Sequence, residues 1–154
     1  MANTYSQIYI QIVFAVSGRE NLISQEWRDE LYKFITGIVR NQGQKLLAIN
    51  GVADHIHILL NIQPNIAVSD LVRDIKANSS RWVNEKGLVR GKFRWQEGFG
   101  AFSYSLSQLD DVIGYIQRQE EHHQKVSFKK EYLTYLERFN VDFDEKYVFQ
   151  WIEK

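Results

Sequence analysis

Polar and apolar positions first alternate and then run together over residues 5–16 (YSQIYIQIVFAV), which predicts a strand. Ser17-Gly18 ends it. The period then changes. Trp27, Leu31, Phe34, Ile35 and Ile38 recur at three and four residues, the spacing of one helix face. Ser24 is placed to cap this helix and Asn41-Gln42-Gly43 to stop it. Two strands follow, over 45–52 and 55–62, joined through Ala53-Asp54 and closed by the single proline, Pro64. A second helix is expected from a Ser69 cap through Leu71, Val72, Ile75 and Trp82 to about Gly87. Residues 93–96 and 101–106, on either side of Glu97-Gly98-Phe99-Gly100, read as a hairpin. Ser107 is placed to cap a third helix, SQLDDVIGYIQRQEEHH, whose first turn holds Asp110 and Asp111 where the helix dipole favours them. A short helix over 129–139 and the tail VFQWIEK complete the chain. This order predicts an α+β fold: a ferredoxin-like antiparallel sheet with helices packed on one face.

Length sets the scale of that fold. At 154 residues the expectation is a single domain over 1–154, with a core over about 5–125 and a C-terminal helical extension over about 126–154. With no cysteine, disulfides, thiolate metal sites and thiol nucleophiles are excluded. MANTYSQIYIQ lacks the basic start and apolar run of a signal peptide, and no apolar run reaches the roughly 18 residues of a membrane span. The expectation is a soluble, cytoplasmic protein with no membrane partner. Basic and acidic residues balance at 19 each, which excludes a uniformly basic, histone-like protein. The balance is uneven along the chain. Residues 73–94 carry seven basic and two acidic side chains, a net +5, interleaved with Trp82 and Phe93 and followed by Trp95. Such a stretch can neutralise phosphates and stack on unpaired bases, or be a solvated helix face beside core aromatics.

Two groups of residues can carry chemistry. His55-Ile56-His57 lies in a strand, so both imidazoles point to one face, roughly 6.5–7 Å apart along it, and Ile56 points to the other. The pair can share one divalent metal, or be two solvent-facing histidines. Tyr115 and Gln119 sit four apart on the third helix and share its face. Gln119 can offer an amide oxygen and Tyr115 a phenolate nucleophile, or the tyrosine can be an ordinary edge residue of an amphipathic helix. His122 and His123, next to Glu120 and Glu121, read as a polar helix end in preference to a metal or acid–base pair. Tyr104 reads as a core or DNA-facing residue, and Asp54 as a turn former that can also orient an imidazole. Gly114 is a poor helix-interior residue that loosens the helix or allows close packing.

Taken in order, these segments resemble single-tyrosine transposases of the HUH class, the insertion-sequence 200/605 type. GVADHIHILLNI resembles the family's His-hydrophobe-His strand and LVRDIKANSSRWVNE the helix that follows it. FRWQEGFGAFSYS resembles the aromatic segment before the catalytic helix, and VIGYIQRQEEHH resembles that helix. The resemblance implies a nucleophile at Tyr115 and a Mg²⁺ or Mn²⁺ site at His55, His57 and Gln119. It implies cleavage and rejoining of single-stranded DNA at hairpin-bearing element ends through a 5′-phosphotyrosine. It also implies a homodimer with composite active sites, the His pair of one subunit meeting the tyrosine helix of the other. DNA contacts are expected at Arg73, Lys76, Arg81, Lys92, Arg94 and Trp95. Two other functions are compatible with the same residues: a host-domesticated HUH nuclease that processes repeated palindromes, and a non-catalytic ferredoxin-like nucleic-acid-binding module.

Overall fold

The computed structural model describes residues 3–144 and Val148. Within them, β1 (Tyr9–Ala15), β2 (Lys45–Gly51), β3 (His55–Asn61) and β4 (Gly100–Tyr104) form one sheet in the order β2-β3-β1-β4. Every neighbouring pair is antiparallel, as the ferredoxin-like expectation requires. The helices are α1 (Gln25–Asn41), α2 (Val68–Glu85), α3 (Leu109–Gln117), α4 (Gln119–His123) and α5 (Phe128–Arg138). None is long and apolar enough to cross a membrane.

The two faces of the sheet are built differently. On one, Ile12, Phe14, Ile56, Ile58 and Leu60 pack against Leu31 and Ile35 of α1 and Leu71 and Ile75 of α2. This is the main apolar core, and its helices are the layer expected from the sequence. On the other face, Val13, Ala15 and Phe102 meet Phe128, Tyr135 and Leu136 of α5, while Ala48 and Leu59 meet Ile116 of α3. The C-terminal helices thus add a second layer, which the sequence pattern did not separate from the first. A strand covered on both faces needs apolar residues at successive positions. That is why β1 runs on as IVFA and why β3 is buried from His55 to Leu60.

Several boundaries differ from the expected ones for local reasons. Ser24 does cap α1, its hydroxyl accepting from the Glu26 N–H at 3.2 Å. The cap of α2 is Ala67, two residues earlier than Ser69, without a side-chain bond. The capping box before α3 is Ser105 with Gln108, so Ser107 sits inside a short 3-10 turn. Residues 93–96 and 101–106 do not pair as a hairpin. Trp95 bridges Val16 and Gly100 pairs with Val13, so both segments follow the same edge of β1, one after the other. The tail VFQWIEK lies outside the described residues except for Val148.

Ile56 has no exposed surface in the main core. Ile56→Asp is expected to destabilise the protein by about 3 kcal/mol or more, because it buries an unpaired charge. The midpoint of urea unfolding measures it.

Candidate active site

The geometry of β3 places the site. His55 and His57 point together into the second layer, and Ile56 points into the main core, as alternation dictates. Both imidazoles are completely buried rather than facing an open cleft. Phe128 of α5 stacks on His55, with ring centroids 3.9 Å apart. The two histidine rings lie 5.1 Å apart.

The third helix is not continuous. It breaks at Arg118, which leaves helical geometry at φ −97°, ψ 23°. Asn50 of β2 explains the break. Its amide donates to the carbonyls of Ile116 at 3.0 Å and Gln117 at 3.1 Å, capping α3 where a continuous helix would use those carbonyls itself. Gln119 then opens α4, fully buried, with its Oε1 3.3 Å from His55 Nε2. Tyr115 is half-buried, 6.2 Å from His57 between ring centroids. A Cβ on Gly114 would lie 2.8 Å from Arg118 Nη1, so the bare glycine is where the Arg118 guanidinium folds back beside Tyr115.

The centre of the cluster is a residue the sequence reading passed over. Glu131 of α5 is buried, and its Oε1 lies 3.0 Å from His57 Nε2, 3.1 Å from His123 Nε2 and 3.4 Å from His55 Nε2. Its Oε2 accepts from the Tyr115 hydroxyl and from Gln119 Nε2 at 3.4 Å. His122 Nε2 is 3.0 Å from the same hydroxyl. His122 and His123 are therefore site residues, not only a polar helix end. Gln11 of β1, also fully buried, lies 2.8 Å from His57 Nδ1 and accepts from the Tyr104 hydroxyl at 2.7 Å. One signal for Glu131 was present in the sequence. Residues 128, 131, 132, 135 and 136 share a helix face, which puts a carboxylate among Phe128, Tyr135 and Leu136.

Electrostatics follow from this crowding. Burial opposes the Glu131 charge, but hydrogen bonds from His123, His55 and His57 outweigh it and hold the carboxyl far below its usual range. Burial pushes His57 down to about 4, so the ring is neutral at pH 7. For His55, burial is outweighed by hydrogen bonds to Asp54 and Glu131, which hold the imidazole above its ordinary value. Burial and the Glu131 charge push the Tyr115 phenol well above its usual value, so it keeps its proton.

The donor set fits a metal. His55 Nδ1 donates to Asp54 at 2.7 Å and His123 Nδ1 donates to the Val126 carbonyl at 2.7 Å. A neutral ring with its proton on Nδ1 carries a lone pair on Nε2. In that tautomer both Nε2 atoms are free to ligate a cation, which would replace the Nε2 protons that otherwise bond Glu131. The ligand atoms of His55, His57, His123 and Glu131 all lie within 4.8 Å of one another.

A cleft of about 680 Å³ leads to this cluster, with Tyr115, Glu131 and Tyr135 in its wall and Arg118, Lys130 and Arg138 around it. The basic residues of 73–94 lie elsewhere. Arg73, Arg81, Lys92 and Arg94 line a second groove of about 680 Å³ between α2 and residues 92–99. Arg73 is exposed and pairs with Asp70 and Asp74. Arg81 bonds Asn78. Lys76 donates to the carbonyls of Gln96, at 2.7 Å, and Gly98, and so ties down that loop. Trp95 is buried, its Nε1 donating to Ser79 Oγ at 2.9 Å and its ring edge-on to Phe14 and Phe93.

Residues 4–119 match the family described as transposase IS200 like, and the chain belongs to that family. It is 22% identical over 120 residues to the ISDra2 transposase TnpA of Deinococcus radiodurans, covering 75% of this chain and 86% of that one. It is 28% identical over 123 residues to the transposase for insertion sequence element IS200 of Salmonella typhimurium, covering 79% and 80%. In fold it is similar to the crystal structure of a candidate transposase from Deinococcus radiodurans, with a TM-score of 0.62 at 20% identity over 77% of this chain and 95% of that one. It is also similar to a REP-associated tyrosine transposase bound to a REP hairpin, with a TM-score of 0.60 at 14% identity over 100% and 98%.

Because Trp95 is held by two aromatic rings and a buried hydrogen bond, Trp95→Ala is expected to cost about 3–5 kcal/mol of stability. Thermal or urea unfolding measures this.

Proposed function

We propose that this transposase cuts and rejoins single-stranded DNA at hairpin-bearing ends, with Tyr115 as nucleophile. One observation carries the reading: the Tyr115 hydroxyl sits at the rim of the His55–His57–Gln119 cluster, bonded to Glu131, with His122 beside it. In the displacement the phenolic oxygen bonds to phosphorus and the bond from phosphorus to the 3′ oxygen breaks. The 5′ phosphate stays on Tyr115, and the phenol's proton, taken first by a side chain it already touches, ends on the departing 3′ oxygen, which leaves as a hydroxyl. A divalent ion held by His55 and His57 with Gln119 would polarise and orient the scissile phosphate. Arg118, Lys130 and Arg138 line the route to Tyr115 and offer charge to a DNA backbone. Arg73, Arg81, Lys92 and Arg94 offer a second basic surface, suited to the hairpin. Lys76 and Trp95 line the same groove, where Lys76 holds the Gln96 and Gly98 carbonyls and Trp95 is packed against Phe14 and Phe93.

A second reading, processing of repeated palindromes by a host-domesticated enzyme, draws on one observation. The likeness to the REP-associated transposase extends over the whole chain, including the C-terminal extension. Both readings use the same chemistry. The non-catalytic module does not, and adduct formation separates it from them.

Incubation with hairpin-containing single-stranded DNA and Mn²⁺ is expected to give a protein–DNA adduct that survives SDS. Tyr115→Phe keeps the ring and its packing but removes the attacking oxygen, so DNA binding should persist and the adduct vanish. An adduct on the Phe variant would reassign the nucleophile, with Tyr104 the next to test.

The homodimer of the family reading can carry its sites in either of two ways. Here α3 and α4 deliver Tyr115 and Gln119 to the His pair of the same chain, which supports self-contained sites. Mixing His57→Ala protein with Tyr115→Phe protein under subunit exchange should then restore no adduct. Restoration would establish composite sites.

A further inference from the structure

The segment that matches the transposase family ends at Gln119, yet the His pair has two further partners beyond it. His123 sits at the end of α4 and Glu131 in the first turn of α5. Both are buried at the side chain and both aim their polar ends at the atoms His55 and His57 present. His123 is fixed for this by its Nδ1 bond to the Val126 carbonyl, which leaves Nε2 directed inward. His55 is fixed in the same way by Asp54. His57 Nδ1 faces the Gln11 amide nitrogen at 2.8 Å, so binding an ion through Nε2 requires the ring proton to move to Nδ1 and the Gln11 amide to turn its oxygen toward it.

We propose that His123 and Glu131 join His55, His57 and Gln119 at the metal site, so that this chain holds its divalent ion through three imidazoles, a carboxylate and an amide oxygen. This rests on the reading of His55 and His57 as ligands, and changes what that site selects. Mg²⁺ prefers oxygen ligands and keeps much of its water. A site of three imidazole nitrogens, one carboxylate oxygen and one amide oxygen favours first-row transition cations such as Mn²⁺, Fe²⁺, Co²⁺ or Zn²⁺. The ligands also come from β3, α4 and α5, so the ion ties the C-terminal extension to the sheet. Metal binding therefore adds directly to the stability of the folded chain.

The full-length protein, stripped with a chelator, is titrated with Co²⁺ alone and then with Mn²⁺ and Mg²⁺. Visible absorption of Co²⁺ reports its ligands, and thermal unfolding reports binding without any DNA. Co²⁺ and Mn²⁺ are expected to raise the melting temperature at concentrations where Mg²⁺ does not. His123→Ala and Glu131→Gln, the second keeping the side chain's volume, are each expected to weaken Co²⁺ binding by about tenfold or more and to change its spectrum. Wild-type Co²⁺ affinity and spectrum in both variants would overturn the proposal and return the site to His55, His57 and Gln119. Equal binding of Mg²⁺ and Mn²⁺ would overturn it as well. If the phosphotyrosine reading fails instead, the adduct is absent while the metal measurements stand.

Discussion

The Glu131 carboxylate meets side chains from three other elements: His55 and His57 of β3, Tyr115 of α3, and Gln119 and His123 of α4. A buried charge is tolerable only when its partners surround it, and here they do. The second layer of the protein is organised around this need. Its apolar contacts are divided between two small clusters, one around Phe102 and Tyr135 and one around Leu59 and Ile116. Between them runs a polar seam, and the helices α3 to α5 converge on it.

The sheet separates two tasks by face. The side covered by α1 and α2 is mainly apolar and supplies most of the burial that holds the chain folded. The other side carries the titratable groups. Ile56 belongs to the first and its neighbours His55 and His57 to the second, so one strand serves both. Gln11 does the same for β1: it sits between core residues Ile10 and Ile12 yet sends its amide to His57 and to the tyrosines Tyr104 and Tyr135. Residues 92–99 are anchored on the apolar side, where Lys76 holds their carbonyls and Trp95 fills the gap beside Phe14.

The break at Arg118 shows how a strand side chain shapes a helix. By taking the carbonyls of Ile116 and Gln117, Asn50 stops α3 and lets α4 start with a buried Gln119. Tyr115 and Gln119 stay on the side that faces the His pair even though the helix between them is interrupted. Gly114 contributes by leaving room for the guanidinium that returns from the break.

How much of this was legible in the chain depends on whether a feature is local. Period-two and period-four patterns are properties of neighbours in sequence, so the strands, the helices, the Ser24 cap and the shared face of His55 and His57 could be read directly. The spacing of Tyr115 and Gln119 was legible for the same reason. What stands opposite those residues was not. Glu131 lies 74 positions from His57 and 16 from Tyr115, and a glutamate in a first helical turn is unremarkable until a sheet lies beneath it. The basic stretch shows the converse. Composition put Lys76 and Trp95 with the arginines, but two hydrogen bonds to carbonyls made Lys76 a loop anchor and burial made Trp95 a core residue. The paired segments after Phe93 came out as neighbours along one edge of β1, because β1 had a free edge to offer each of them. The residues alone determined which groups could share a face, and packing of the second layer decided which of them meet, since only folding brings β3 and α5 within bonding distance.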